Sequence, residues 1–174
     1  MVAGDVPWYA ASRVPGVAIY ETILTVPQSV DETFAFVSDF RNAAKWDPRT
    51  FSVDKTTDGD IGIGTRFMLT GGMLAEATVK RLHLPTSMAG MALPYDVVEF
   101  DAPHEFILEG ESRLVRYRDH LEFWPDGNDT RLRYYAELEM KGPLSILEPL
   151  LARMFQRIGD DATRDLPATV LRGT

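Results

Sequence analysis

There is no cysteine among the 174 residues of this chain. That absence removes disulfide scaffolds, thiol catalysis, zinc ribbons and iron–sulfur clusters together. Long apolar runs are missing too, since none approaches the ~20 residues that span a bilayer. Positive charge is scarce: 18 Lys and Arg stand against 26 Asp and Glu, for a net charge of −8. The basic residues are scattered among acids, which argues against a phosphate-backbone partner and against docking on anionic lipid. The three histidines, His83, His104 and His120, fall on different predicted strands with no ligand spacing. His120 and Glu122 share a strand face, but a zinc-deaminase type of site would also need cysteines. No metal and no cofactor is therefore expected.

Known phosphate and nucleophile signatures are also lacking. Gly62-Ile63-Gly64 has no third glycine and opens a strand, so it cannot present a helix N-terminus to a phosphate. No Gly-x-Ser-x-Gly turn occurs. Asp5 and Pro7 stand where a signal peptide would carry positive charge and an unbroken apolar run, so a cytoplasmic protein is expected. Residues 1–16 read as an irregular lead-in, with Trp8 and Tyr9 packing on the surface, and residues 17–174 as one domain.

What the chain does contain is a sequence of turn signals separating β-patterned runs. Val17 to Val26 is rich in Val, Ile, Thr and Tyr between Pro15-Gly16 and Pro27, and reads as a first strand. Ser29 and Glu32 form a capping box ahead of Val30, Phe34 and Val37 at helical spacing. A second short helix over Arg41 to Lys45 is closed by Trp46-Asp47-Pro48, because a residue before proline is pushed out of helical geometry. Strands follow at Phe51–Thr57 and from Thr65, the latter expected to run to Leu84 with a kink at Gly71-Gly72. Four more are read at Met91–Asp101, His104–Ser112, Leu114–Trp124 and Thr130–Lys141. The last has the cleanest alternation, with Leu132, Tyr134, Ala136, Leu138 and Met140 on one face and Arg131, Arg133, Tyr135, Glu137, Glu139 and Lys141 on the other. Such period-two alternation marks a sheet with one wet and one buried face. After Gly142-Pro143 the period changes, and Leu147, Leu151, Met154 and Ile158 make the stripe of a long helix ending near Pro167 to Val170.

A curved sheet with one apolar face must cover that face, and one helix cannot fill the concavity. The expected result is α+β: a seven-stranded curved antiparallel sheet wrapped around a long C-terminal helix, with two short helices after strand 1 and a cavity inside. Strand alternation turns Phe67, Tyr95, Val97, Tyr117, Leu121, Tyr134, Ala136 and Leu138 inward. The helix stripe adds Leu151, Met154, Phe155 and Ile158. Trp46 either closes the cavity mouth or staples the short helix to the sheet, and Asp47 is read as a turn-former.

Asp119 is the candidate catalytic residue. If Leu121 and Phe123 face inward, Asp119 does as well, and a carboxylate among apolar groups has a raised pKa and can act as acid, base or anchor. A register shifted by one would turn His120, Glu122 and Trp124 inward instead. Tyr117 and Tyr134 are candidates to offer hydroxyls to a ligand carbonyl. Glu99 would also point inward by strict alternation unless a bulge lets Phe100 take its place, and the bulge is the favoured reading.

The order VPQSVDETFAFVSDFRNAAKWDP, DGDIGIGTRF, LPYDVVEFDAPHEFILEGE, PDGNDTRLRYYAELEMKGP and LEPLLARMFQRIGDD resembles the START-like, birch-pollen-allergen-like superfamily, in its SRPBCC polyketide cyclase/dehydrase branch. The resemblance runs from Val17 to Ala168. It implies a helix-grip fold and binding of a hydrophobic or amphipathic small molecule, such as a lipid, polyketide or isoprenoid. It does not imply one reaction, because the branch mixes enzymes and carriers. A cyclase/aromatase or dehydratase using Asp119 or a cavity tyrosine stays open as an alternative. So does an accessory protein handling a quinone or a partner, which an apolar patch at Pro85–Ala92 would favour. The expected partner is a small hydrophobic ligand, without nucleic acid or integral membrane association; a homodimer is left open.

Overall fold

Alternation and turn chemistry resolve into seven strands in a computed structural model, which describes residues 16–72, 75–83, 90–113, 115–142 and 148–173. The strands are β1 Val17–Val26, β2 Thr50–Lys55, β3 Arg66–Gly71, β4 Met91–Asp101, β5 Glu105–Glu111, β6 Val115–Asp126 and β7 Asp129–Met140. They pair antiparallel in the order β1-β7-β6-β5-β4-β3-β2. β1 and β2 are consecutive in sequence yet lie at opposite edges. The segment joining them must cross the open end of the sheet, and it does so as α1 (Val30–Ser38), a 3-10 turn at Phe40–Asn42 and α2 (Ala43–Trp46).

Local chemistry sets these boundaries. Ser29 caps α1 by accepting the Glu32 N–H at 3.4 Å, and the Glu32 carboxylate takes the Ser29 hydroxyl. This is a variant of the expected capping box, in which the carboxylate would take the backbone N–H of Ser29. Asp47 is extended at the end of α2, as a residue before Pro48 must be. Between Val97 and Glu99 the β4–β5 register slips, and Phe100 turns inward against Phe34 at 5.2 Å between ring centroids. The bulge expected at Glu99 is present.

Three expectations need correction. β3 ends at Gly71, and Glu76–Arg81 is a helix, α3, where a continuing strand was expected. Gly71 lies so close to the Arg49 carbonyl that a Cβ there would stand 2.8 Å from its oxygen, and Gly72 N–H donates to that oxygen at 3.1 Å. The chain is held to the β2 edge at this point and then leaves the sheet. The β6–β7 turn is tighter than the Pro125–Asp129 segment suggested, because Asp126 pairs with Asp129 and Gly127 takes a φ of 68°. The terminal helix is broken into α4 (Glu148–Arg164) and α5 (Leu166–Gly173). Pro167 lacks an N–H and disfavours helical geometry at the residue before it. The Asp165 carbonyl restarts the helix by accepting from Thr169 N–H at 3.0 Å. Trp8, Tyr9, Leu147 and residues 85–89 of the suspected patch lie outside the described residues.

α4 packs across β1 because Gly159 has no side chain. A Cβ there would stand 2.4 Å from the Tyr20 ring, so helix and ring are in direct contact. The Tyr20 hydroxyl is held by Thr163 Oγ1 at 2.9 Å and reaches Asp160 at 3.3 Å. In the same turn of α4, Arg49 of the segment after α2 donates to Asp161 at 2.8 Å. No helix among the described residues is long and apolar enough to cross a membrane.

Candidate functional site

The concave face is solid at one end and hollow at the other. At the solid end Phe34 of α1 meets Phe123 and Phe100, each at 5.2 Å between centroids, and Phe100 meets Phe106 at 6.0 Å. Such edge-to-face clusters fill space with well-determined geometry. At the hollow end a cavity of about 420 Å³ lies between the sheet and α4. Its walls include Leu69, Leu93, Val115, Leu138 and Met140 from the sheet and Met154, Phe155 and Ile158 from α4. That volume falls within the ~300–1,000 Å³ of small-molecule sites. A second chamber of about 120 Å³ adjoins it under α2 and shares Asp47, Thr50, Tyr95 and Asp119 as walls.

Asp119 stands where the two chambers meet. β6 pairs it with Leu108 of β5 on one side and Ala136 of β7 on the other, both inward-facing. The register that turns Asp119 inward is the one adopted, and the alternative is overturned: Trp124 is exposed and His120 pairs with Glu105 at 2.7 Å. Burial raises the Asp119 carboxyl from 3.8 to about 7, opposed by hydrogen bonds from Tyr134 and Tyr95 and assisted by the nearby Asp47. It is thus a mixture of acid and carboxylate near neutrality. Its negative form raises the pKa values of both tyrosines, adding to the larger effect of their burial.

Asp47 is the functional candidate that reading the residues undervalued. It is a turn-former, accepting from Arg49 N–H at 2.9 Å and from the Thr50 hydroxyl at 2.6 Å. It also lines both chambers, and desolvation raises its pKa. The Trp46-Asp47-Pro48 string was the available signal, but a turn role and a cavity role look identical in sequence.

The expected lining residues distribute over both chambers, with Tyr95, Asp119, Phe155 and Ile158 common to the two. Asp119, Tyr95, Tyr117, Leu138, Met154, Phe155 and Ile158 line the large cavity, and Trp46, Tyr134 and Ala136 line the small one. Phe67, Val97 and Leu121 line neither; all three are buried in the packed core, Phe67 against Phe40 at 5.9 Å. Alternation reports which face a residue is on, and it cannot report which end of that face is filled. The Leu151 side chain lies outside the described residues. Trp46 is buried deep under α2, not at the cavity mouth. The Tyr117 hydroxyl, expected to be offered to a ligand, donates instead to the Pro94 carbonyl at 2.5 Å. Pro94 has no N–H of its own, and Gly110 gives the Tyr117 ring room to cross the strands: a Cβ there would stand 2.4 Å from it. No cluster of metal-ligating side chains occurs among the described residues.

These features can be set beside known proteins. A search of curated proteins finds no match. Among solved structures the fold resembles a START superfamily protein from Mycobacterium smegmatis, at 13% identity and a TM-score of 0.69, covering 90% of this chain and 99% of that one. It also resembles the Zhui aromatase/cyclase from Streptomyces sp. R1128, at 12% identity and a TM-score of 0.66, covering 90% and 94%. A norcoclaurine synthase from Thalictrum flavum is similar at 16% identity and a TM-score of 0.58, covering 90% and 96%. At such identities the likeness concerns the fold alone, and the fold is the helix-grip. The family described as polyketide cyclase / dehydrase and lipid transport matches residues 17–170. With nearly the whole chain inside that match, this protein belongs to the polyketide cyclase/dehydrase and lipid transport family.

Proposed function

We propose that this protein binds a hydrophobic or amphipathic small molecule, of lipid, polyketide or isoprenoid type, in the cavity between the sheet and α4. The observation that carries this reading is the cavity of about 420 Å³, walled chiefly by aliphatic and methionine side chains with Asp119 at its inner limit. Burying ~300 Å² of apolar ligand surface contributes roughly 7 kcal/mol before ordering costs, which by itself limits affinity to about 10 μM, so polar contacts must add to it. Family membership supports the same ligand class. Mass spectrometry of the freshly purified protein under native conditions is the direct test. It should release an apolar organic compound, or the stripped protein should take up an added bicyclic hydrocarbon such as tetralin with micromolar affinity. A protein that does neither does not have this function.

One observation favours a second reading, proton transfer during cyclisation or dehydration. A carboxyl poised at about 7 inside an apolar cavity is matched to acid–base work at neutral pH. In that case Asp119→Asn abolishes turnover of a β-hydroxy ketone probe while leaving its binding within about twofold, and equal turnover by the variant would refute it.

A further inference from the structure

The two chambers that meet at Asp119 differ in chemistry. The outer one, of about 420 Å³, is walled mostly by aliphatic and methionine side chains. The inner one, of about 120 Å³ under α2, is walled largely by rings and carboxyls. Tyr20, Phe40, Trp46, Tyr95, Tyr134 and Phe155 line it, together with Asp47 and Asp119. The rings adjoin one another: Tyr134 meets Tyr20 and Trp46, each at 6.3 Å between centroids, and Phe40 meets Tyr95 at 5.0 Å. No Lys, Arg or His is among the described residues of that wall. Arg49 lines the outer chamber and is held by Asp161 at 2.8 Å.

Asp119 is the group that this arrangement leaves without a counter-ion. It lies on a central strand, so the 7% of its surface that stays accessible belongs to the side chain and opens into the chambers. The groups that influence its carboxyl are Tyr134, Tyr95 and Asp47, and none is a base. Buried charges are ordinarily paired. Folding has already stripped water from this carboxyl, so a cation arriving beside it gains the attraction without that cost. The rings add to the same preference, because their negative faces attract cations within about 6 Å of the centroid.

We propose that the inner chamber is a cation subsite, which takes the protonated amine end of an amphipathic ligand whose apolar body fills the outer chamber. The inference rests on the ligand-binding reading above and adds to it a charge and an orientation. The ammonium N–H donates to the Asp119 carboxylate in a charge-assisted hydrogen bond, and the carbon atoms around it meet the rings. The volume of about 120 Å³ suits only the end of a molecule, since it is below the ~150 Å³ of an engineered cavity that takes up benzene. A ligand carboxylate is disfavoured at the same place, because Asp47 and Asp119 both line the chamber and would repel it. The class is therefore a hydrophobic amine, distinct from a free fatty acid and from a neutral hydrocarbon.

Three probes of one shape test this by calorimetry at pH 8: the 2-aminotetralin cation, neutral 2-methyltetralin, and the anion of tetralin-2-carboxylic acid. Salt at about 0.15 M screens the chain's net charge of −8 beyond ~8 Å, so that any preference reports the site. The cation should bind about tenfold more tightly than the hydrocarbon, and the anion more weakly than either. Asp119→Asn should cut that tenfold preference to about twofold or less. A measurement on protein with Asp119 intact guards against a variant that fails to fold. Followed by NMR, the Asp119 carboxyl carbon should titrate at about 7 in the free protein. With the amine bound its midpoint should fall by about one pH unit or more, and with 2-methyltetralin it should stay in place. If cation and hydrocarbon bind equally and that midpoint ignores both, the cation subsite is refuted while hydrophobic binding stands. A preference for the cation that survives in Asp119→Asn refutes its placement at this carboxyl. If all three probes fail to bind, the ligand-binding reading falls with it.

Discussion

Along β6 the inward side chains change character within a few residues. Phe123 and Leu121 are packed on every side at 1% and 2% exposure, whereas Tyr117 and Val115 face the cavity and Asp119 divides the two regimes. β7 makes the same transition from Leu132, in the core, to Leu138 and Met140, on the cavity wall. One sheet face thus serves as a core at one end and as a container at the other. The packed end can rely on Phe34 from α1 to fill it. The hollow end has α4 above it, with Met154 and Ile158 lining the space without closing it. Packed core and cavity wall thus occupy opposite halves of the same strands.

The comparison yields an ordered set of outcomes. Largest should be the cost of emptying the solid end: Phe123→Ala should lower stability by about 3–5 kcal/mol in urea titration, against less than ~1.5 kcal/mol for Leu138→Ala on the cavity wall. Equal costs would mean the two ends do not differ as the geometry says.

Next comes the pH dependence at the boundary. The folded-state pKa of Asp119, about 7, lies above its ordinary value of 3.8. The folded chain therefore holds the proton longer than the unfolded chain does, and stability falls as pH rises from about 4 to 7. With 1.36 kcal/mol per pKa unit, the loss attributable to this group is on the order of 4 kcal/mol. Asp119→Asn should flatten that slope in denaturant titrations at pH 5 and pH 8, and an unchanged slope would show that the carboxyl is not desolvated. Smallest is the filling of space: Ala136→Val adds two methyl groups beside the inner chamber and should change stability by less than ~1 kcal/mol. The same change made in a fully packed region would cost more, so a large loss would show that the inner chamber is not available volume.

Much of this arrangement was legible beforehand, for identifiable reasons. The alternation of Leu132 to Met140 requires a sheet with one buried face, and Ser29 with Glu32 marks where α1 begins. Asp119 could be turned inward because Leu121 and Phe123 on the same strand needed burial. The bulge at Val98–Glu99 was legible because burying Glu99 would be costlier than slipping one residue. Other features depend on tertiary contacts that no local pattern encodes. Whether Phe67 and Val97 meet ligand or protein depends on Phe40 and on the placement of α1 and α2 above them. The departure of the chain after Gly71 depends on the carbonyl of Arg49, twenty-two residues earlier. The engagement of the Tyr117 hydroxyl depends on Pro94, on a strand two places away in the sheet.

The contact between Gly159 and the Tyr20 ring carries a consequence for how such a protein can diversify. Helix and sheet are already at their closest approach there, so that line acts as a fixed hinge-pin about which the grip is set. If the cavity holds a ligand as proposed, room for a bulkier one has to come from another wall, where Leu93 and Met91 of β4 and Gly71 of β3 line the space. On the proposed function, a change of ligand size would be expected to alter β3 and β4 and to spare Tyr20 and Gly159.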